Sequence, residues 1–363
     1  MRKSIFVLFA FLLMLSPIIL GLKVTQRYPI GTAPMKLLEV ENRTGKYFLV
    51  LVKGDSEILV LNEKFEPIRY IDDLKRDKIQ DIIYHNKSLY CFGFHSGRII
   101  IIDISGKPGE WKIKQRISTG ERLITGVFLE NTLGVLSYDN KFLMVDIKKG
   151  KTVKTLKLPV TALSMVAKDK YFFVSLFYNY NLLTNEYDTE HGLYVIDKKG
   201  QLVKTLKLGK RPSYMFIVND YLGVVNYLSS TVDIISTKTF RKIKTFNVGK
   251  YPNFPVISGD IVWISSTGED RIYQLNIKKL TMESYPVEGR GPIKCVRIND
   301  NLFVLNAISG ELELKNLNGS TIQSLDLKGY PIDLIFNDSQ VAILLFEDFK
   351  FNSTNGSLVV INF

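Results

Sequence analysis

Between residues 212 and 249 short apolar runs alternate with polar punctuation. Residues 214–218, 222–227, 232–235 and 243–248 each have strand length and period-two character, and Asn219-Asp220, Ser229-Ser230 and Lys238-Thr239 separate them with turn-forming side chains. The unit recurs: Gly209, Gly249, Gly289 and Gly329 are each 40 residues apart. The first three open a Gly-x-x-Pro corner, the fourth is shortened to Gly329-Tyr330-Pro331, and Gly31 to Pro34 shows the full form near the start. Glycine is expected there to turn the chain at positive φ, and proline to begin the next strand where no ladder N–H is needed. An Asx-rich break recurs at Gly259-Asp260, Asn299-Asp300-Asn301 and Asn337-Asp338.

Four antiparallel strands at a 40-residue period describe a β-propeller blade, because one small twisted sheet buries both faces only when neighbours stack against it around a ring. The period-two runs exclude a helical solenoid. Innermost strands are expected to begin near Met35, Ile79, Leu123, Thr161, Ser213, Asn253, Ile293 and Ile332. The fold class is therefore all-β, a single eight-bladed propeller at about 43 residues per blade, with seven blades at about 49 as the alternative. The last unit is one strand short, and residues 22–30, leading to the Gly31 corner, supply the missing outer strand beside residues 358–363. The two ends should close the ring and remove its open sheet edge.

Residues 1–21 belong to another class of sequence. Arg2 and Lys3 precede an uncharged run over residues 4–20, with Ser16 and Pro17 near its end and Gly21 behind it. A basic start and an apolar stretch slightly short of a full span predict a signal peptide; Ile19 fits the small-residue cleavage preference poorly, which leaves an N-terminal membrane anchor open. The expected organisation is a leader or anchor over 1–21 and the propeller over 22–363, in an extracytoplasmic protein, secreted or held at the cell surface. No cysteine follows the apolar run to accept a lipid.

Composition narrows the chemistry. With 46% apolar and 23% charged residues the chain is a folded one, and 22 Phe with 18 Tyr favour strands. Cys91 and Cys295 fall in blades two and seven among apolar neighbours, so they read as buried thiols rather than a disulfide. The net charge of +12 is spread over outer strands and turns, as in Lys148, Lys149, Lys151, Lys154 and Lys157, without the Arg-aromatic interleaving of nucleic-acid binders. A solvated face explains most of it; for an exported protein the functional version is attraction to anionic cell-wall polymer or lipid headgroups by the general field.

Extra length on a regular scaffold carries binding. Residues 178–191 lengthen the turn between the second and third strands of blade four and hold Tyr178, Tyr180, Glu186, Tyr187, Asp188, Glu190 and His191. Oxygen and imidazole donors suit a divalent cation, but their spacing matches no defined loop, and a solvated turn offering binding side chains is the favoured reading. A second insertion, 347–356, carries sequons at Asn352 and Asn355; others lie at Asn42, Asn86, Asn318 and Asn337. Three histidines, His85, His95 and His191, and the lack of a G-x-S-x-G, H-E-x-x-H or phosphate-cradling motif give catalysis thin support. No cofactor is expected. The innermost strands contribute a mixed set, Asp81, Asp333, Lys294 and Arg297, of undetermined facing.

The units resemble YVTN-type β-propeller repeats, a family of exported and cell-surface proteins. The likeness rests on Phe303-Val304-Leu305-Asn306, on Gly223-Val224-Val225-Asn226 two periods earlier, and on residues 192–197 followed by 202–206 and the Gly209 corner. The chain departs from the family where a Pro-Asp-Gly turn is usual. The resemblance implies an architecture and an exported location, and no reaction. The expected function is a binding or protein-interaction module with a protein or envelope glycan partner; a propeller hydrolase of the lactonase type, needing converging acids in the channel, is the alternative.

Overall fold

In the computed structural model, which describes residues 21–177, 180–181, 184, 186–187, 192–348 and 354–363, the period becomes eight four-stranded antiparallel sheets. Innermost strands, blades one to eight in order, are Pro34–Asn42, Ile79–His85, Leu123–Leu129, Ala162–Lys168, Pro212–Val218, Pro252–Ser258, Pro292–Ile298 and Tyr330–Phe336. Each begins within two residues of the position expected from the repeat. Blade five shows the full unit: Pro212–Val218, Tyr221–Asn226, Thr231–Ser236 and Lys242–Asn247, joined in chain order. Blade eight is completed from both ends of the chain, Lys23–Thr32 pairing antiparallel with Asn355–Asn362, which pairs with Gln340–Phe346.

The blades cannot stand alone because their two middle strands are buried on both faces. Tyr221–Asn226 and Thr231–Ser236 are buried over most of their length, whereas the outer Lys242–Asn247 is exposed except at Phe246. Middle strands therefore read as nearly continuous apolar runs, and the alternation expected from the sequence survives mainly in the outer strands. Among the described residues the apolar side chains form one cluster at each of the eight blade-to-blade contacts; Leu222 and Val224 pack toward blade four, Val225 and Ile234 toward blade six. Cys91 lies between blades one and two and Cys295 between six and seven, both buried and unbonded to each other. Lysines cover the outer strands, as at Lys151, Lys154 and Lys157, and keep those edges from pairing with another chain.

The corners work differently from the expectation. Gly31 has φ of 89°, but Gly209, Gly249, Gly289 and Gly329 do not take positive φ; the left-handed residue sits just before the strand, at Ala33, Arg211, Tyr251 and Gly291. What the corner glycine supplies is room. A Cβ on Gly209 would lie 2.8 Å from Cβ of Asn226, and one on Gly289 2.2 Å from Nδ2 of Asn306. Each glycine is pressed against the last residue of its blade's second strand.

Candidate functional site: the corner face and the channel mouth

The corners and the turns between second and third strands share one face of the disc. Both insertions open there: residues 178–191 follow Tyr171–Leu176 and precede Leu193–Asp197, and residues 347–354 stand between Gln340–Phe346 and Asn355–Asn362. Within the first, the backbone of Tyr180–Asn181 pairs with Glu186–Tyr187, and Glu186 is exposed. Tyr178, Asp188, Glu190, His191 and Asn352 lie outside the described residues.

At this face the register shifts near the start of each innermost strand, as at a β-bulge, and sets one residue per blade at the channel rim. The ring so formed is Lys36, Asp81, Thr125, Ser164, Tyr214, Phe254, Lys294 and Asp333. One side is ionic, and its geometry is used twice. Lys36 Nζ reaches Asp81 Oδ1 at 2.7 Å and the Ile82 carbonyl at 2.8 Å; Lys294 Nζ reaches Asp333 Oδ1 at 2.5 Å and the Leu334 carbonyl at 3.0 Å. Asp81 also accepts from the Thr125 hydroxyl (2.5 Å), and Asp333 from the Leu37 N–H (2.9 Å). The two carboxylates thus staple blade one to two, two to three, seven to eight and eight to one. Burial holds the Lys53 ammonium below the ordinary lysine range, with Asp81 acting against it.

The channel acids that a lactonase-type hydrolase would have to converge are thereby committed to separate lysines. His85 stacks on Phe128, with ring centroids 3.9 Å apart, and Arg297 turns to the Asn299 carbonyl and to Asp300. Among the described residues no group of three or more His, Cys, Asp or Glu stands close enough to hold a metal ion.

The other side of the ring is aromatic. Tyr214 and Phe254 meet at 4.8 Å between centroids, and burial pushes the Tyr214 phenol up to about 12. Above them a second motif repeats. Phe94, Tyr138, Phe177 and Tyr227 are each the first residue after the second strand of blades two to five, and Arg122 and Arg211 each immediately precede an innermost strand. Arg122 lies over Tyr138 (4.9 Å to the centroid) and Phe94 (5.9 Å), and Arg211 over Phe177 (4.6 Å) and Tyr227 (6.0 Å). Each guanidinium is held by one ring from its own blade and one from the blade before, a contact of a kind worth about 0.5–2 kcal/mol. Arg122 is also tied to Asp139 at 2.5 Å.

At Arg211 the rings border an open cavity of about 400 Å³ between blades four and five, lined by Leu163, Ser164, Phe177, Arg211, Ser213, Tyr214 and Tyr227. Phe177 is the residue from which the long insertion departs. Tyr251 continues the aromatic wall, 5.2 Å from Tyr227, and is 45% exposed. Apolar walls, a few polar groups and a fixed guanidinium suit the capture of a side chain or chain segment. The sequence singled out the insertion but not this wall; the signal available was the aromatic residue recurring just beyond successive second strands. Of the sequons, Asn42 spends its amide on the carbonyls of Ile104 and Gly106, linking blades one and two, and Asn337 donates to the Glu63 carbonyl.

The fold class is thus an eight-bladed β-propeller. A computationally designed protein, Ika8, superposes with a TM-score of 0.71 at 12% identity, over 92% of this chain and 98% of its own. BamB from Moraxella catarrhalis superposes with a TM-score of 0.67 at 14% identity, over 94% of this chain and all of its own. At such identities the likeness is one of fold. No protein-family model and no curated protein matches the chain.

Proposed function

We propose that this protein is an exported interaction module of the YVTN propeller type that takes a protein partner on its corner face, at the cavity between blades four and five. The observation that carries the reading is Arg211, clamped between Phe177 and Tyr227 at the rim of an open, largely apolar cavity. Arginine and tyrosine held rigid beside such a pocket are the residue types that dominate binding energy at protein interfaces, because little side-chain entropy remains to be lost. The chain enters and leaves both insertions at the same face.

Export is supported by the basic start and the apolar run of residues 1–21. The strand Lys23–Thr32 begins at the opposite face and ends at the corner face, so a tether at residues 1–21 would hold the corner face away from the membrane. The YVTN reading is supported by the asparagine that ends each of its two matching segments, Asn226 and Asn306, since both anchor a corner from within.

The test is retention of envelope proteins on immobilised propeller. A defined protein should be held by the wild type, lost with Arg211→Ala or Tyr227→Ala, and kept with Lys278→Ala on the opposite face. Retention unaffected by the first two variants, or of a glycan in place of a protein, would overturn the reading. Fractionation that leaves the full-length chain in the cytoplasm would overturn export.

A further inference from the structure

Six asparagines head an Asn-x-Ser/Thr sequence: Asn42, Asn86, Asn318, Asn337, Asn352 and Asn355. Asn352 lies outside the described residues. Three of the other five fold into the same turn, in which the carboxamide oxygen accepts the N–H of the residue two places on: Asn42 from Thr44 at 2.7 Å, Asn318 from Ser320 at 3.0 Å and Asn337 from Ser339 at 3.0 Å. At Asn42 and Asn318 the same oxygen also accepts the hydroxyl of that residue, at 2.7 and 2.8 Å. The turn thus sets the hydroxyl that defines the sequence directly against the carboxamide.

The amide nitrogens differ. Asn42 Nδ2 donates from blade one to the Ile104 and Gly106 carbonyls of blade two, at 2.6 and 2.9 Å, and Asn337 Nδ2 donates from blade eight to the Glu63 carbonyl of blade one at 2.7 Å. A sugar on either nitrogen would stand at a contact between blades, whenever in the life of the chain it was added. Asn86 Nδ2 donates to His85 Nε2 at 2.9 Å, and its partner Ser88 is half-buried at the start of a strand. Asn355 opens a strand whose Ser357 is buried, with its hydroxyl on Glu347. Asn318 Nδ2 has no hydrogen-bond partner among the described residues, and Asn318 and Ser320 are both exposed. Between them Gly319 takes φ of 90° and lies against Tyr285, whose Cδ1 would be 2.6 Å from an added Cβ, so the turn is held in place by a residue that only glycine fits.

From this sorting we infer that Asn318 is a glycan attachment site, its Nδ2 taking an oligosaccharide from a lipid-linked diphosphate donor. The bond from Nδ2 to the anomeric carbon forms as the bond from that carbon to the diphosphate oxygen breaks. The diphosphate leaves with the electron pair, and Nδ2 gives one proton to a base of the transferase. The inference rests on the export reading above, because such a donor is used outside the cytoplasm. Asn318 lies in the turn between Glu311–Asn316 and Thr321–Asp326 of blade seven, on the face opposite the corners. A glycan there leaves the cavity at Arg211 open to a partner.

The experiment is mass spectrometry of the full chain made in its own organism and recovered by cell fractionation, read on the tryptic peptide of residues 316–328, which holds no other Asn-x-Ser/Thr sequence. Wild type is compared with Asn318→Gln, Ser320→Ala and Ser320→Thr, all in an exposed turn. The peptide should carry sugar in the wild type and in Ser320→Thr, and none in Asn318→Gln or Ser320→Ala, with all four chains recovered from the envelope. A bare peptide from envelope-borne wild type, or sugar that persists on it in Asn318→Gln, would overturn the site and leave export standing. Sugar found only at another of the six asparagines would do the same. A chain confined to the cytoplasm would overturn export and the site together.

Discussion

The Asn306 side-chain amide donates to the buried Glu313 carboxylate at 3.2 Å, and eighty residues earlier Asn226 donates to Asp233 at 2.9 Å. In each blade the same carboxylate takes the N–H of the corner glycine, Gly289 at 3.5 Å and Gly209 at 3.4 Å, and a threonine hydroxyl of the fourth strand at 2.6 Å. The acid thus ties the second, third and fourth strands to the corner. The asparagine that ends the YVTN-like segment has a physical reason to be there: it satisfies an acid that has been taken out of water.

Glu313 also meets Lys315 at 2.6 Å, with both side chains buried. Replacing Lys315 by Met leaves the carboxylate inside without its counter-ion and should cost about 3–5 kcal/mol in urea unfolding. The double variant Glu313→Leu with Lys315→Met should recover part of that loss, because two apolar side chains of similar volume need no compensation. A double variant less stable than the single one would contradict this account.

Acid should undo the same network. Burial alone would raise the Glu313 carboxyl, but the bonds from Lys315, Thr321 and the Glu288 N–H together hold it below the ordinary range; Asp139 is held low chiefly by its bond to Arg122. A carboxylate depressed in the folded state contributes stability that is present above its unfolded pKa and lost as pH falls through the folded one. The urea midpoint should therefore fall as pH drops below the ordinary carboxylate range, and less steeply in Glu313→Gln.

Gly209→Ala should destabilise by about 1–3 kcal/mol through overpacking, since the added methyl would sit 2.8 Å from Cβ of Asn226. Thermal unfolding monitored by far-ultraviolet circular dichroism reads this directly. An Ala variant as stable as the wild type would show that the corner glycine is not set by close approach.

Burial pushes both thiols well above the ordinary cysteine range, helped by Asp77 and Asp81 at Cys91 and by Glu313 at Cys295. Native protein should react with a disulfide reagent only as fast as it opens, and two thiols should appear on denaturation. Rapid native labelling of either cysteine would contradict its place between blades.

Deleting Asn355–Asn362 removes the strand that joins the N-terminal strand to the rest of blade eight. It should expose two edges and give aggregates by light scattering after size-exclusion chromatography. A monodisperse truncated chain would show that closure by the two ends is dispensable.

Blade number, strand order and the joining of the two ends were legible in the amino-acid order because they follow from local facts: a 40-residue period, strand-length runs, and turn chemistry that each blade repeats. The buried cysteines and lysine-covered outer strands were legible for the same reason. Three things were not. The corner glycines answer to side chains seventeen residues downstream, Asn226 and Asn306, which a turn rule does not contain. The facing of Asp81 and Asp333 depends on bulges that redirect one residue per strand and on lysines 45 and 39 residues earlier. The aromatic wall around Arg211 draws Phe177 from one blade and Tyr227 from the next. Such contacts exist only once neighbouring blades have closed on one another, because the distance between side chains on adjacent blades is set by the ring and not by their separation along the chain.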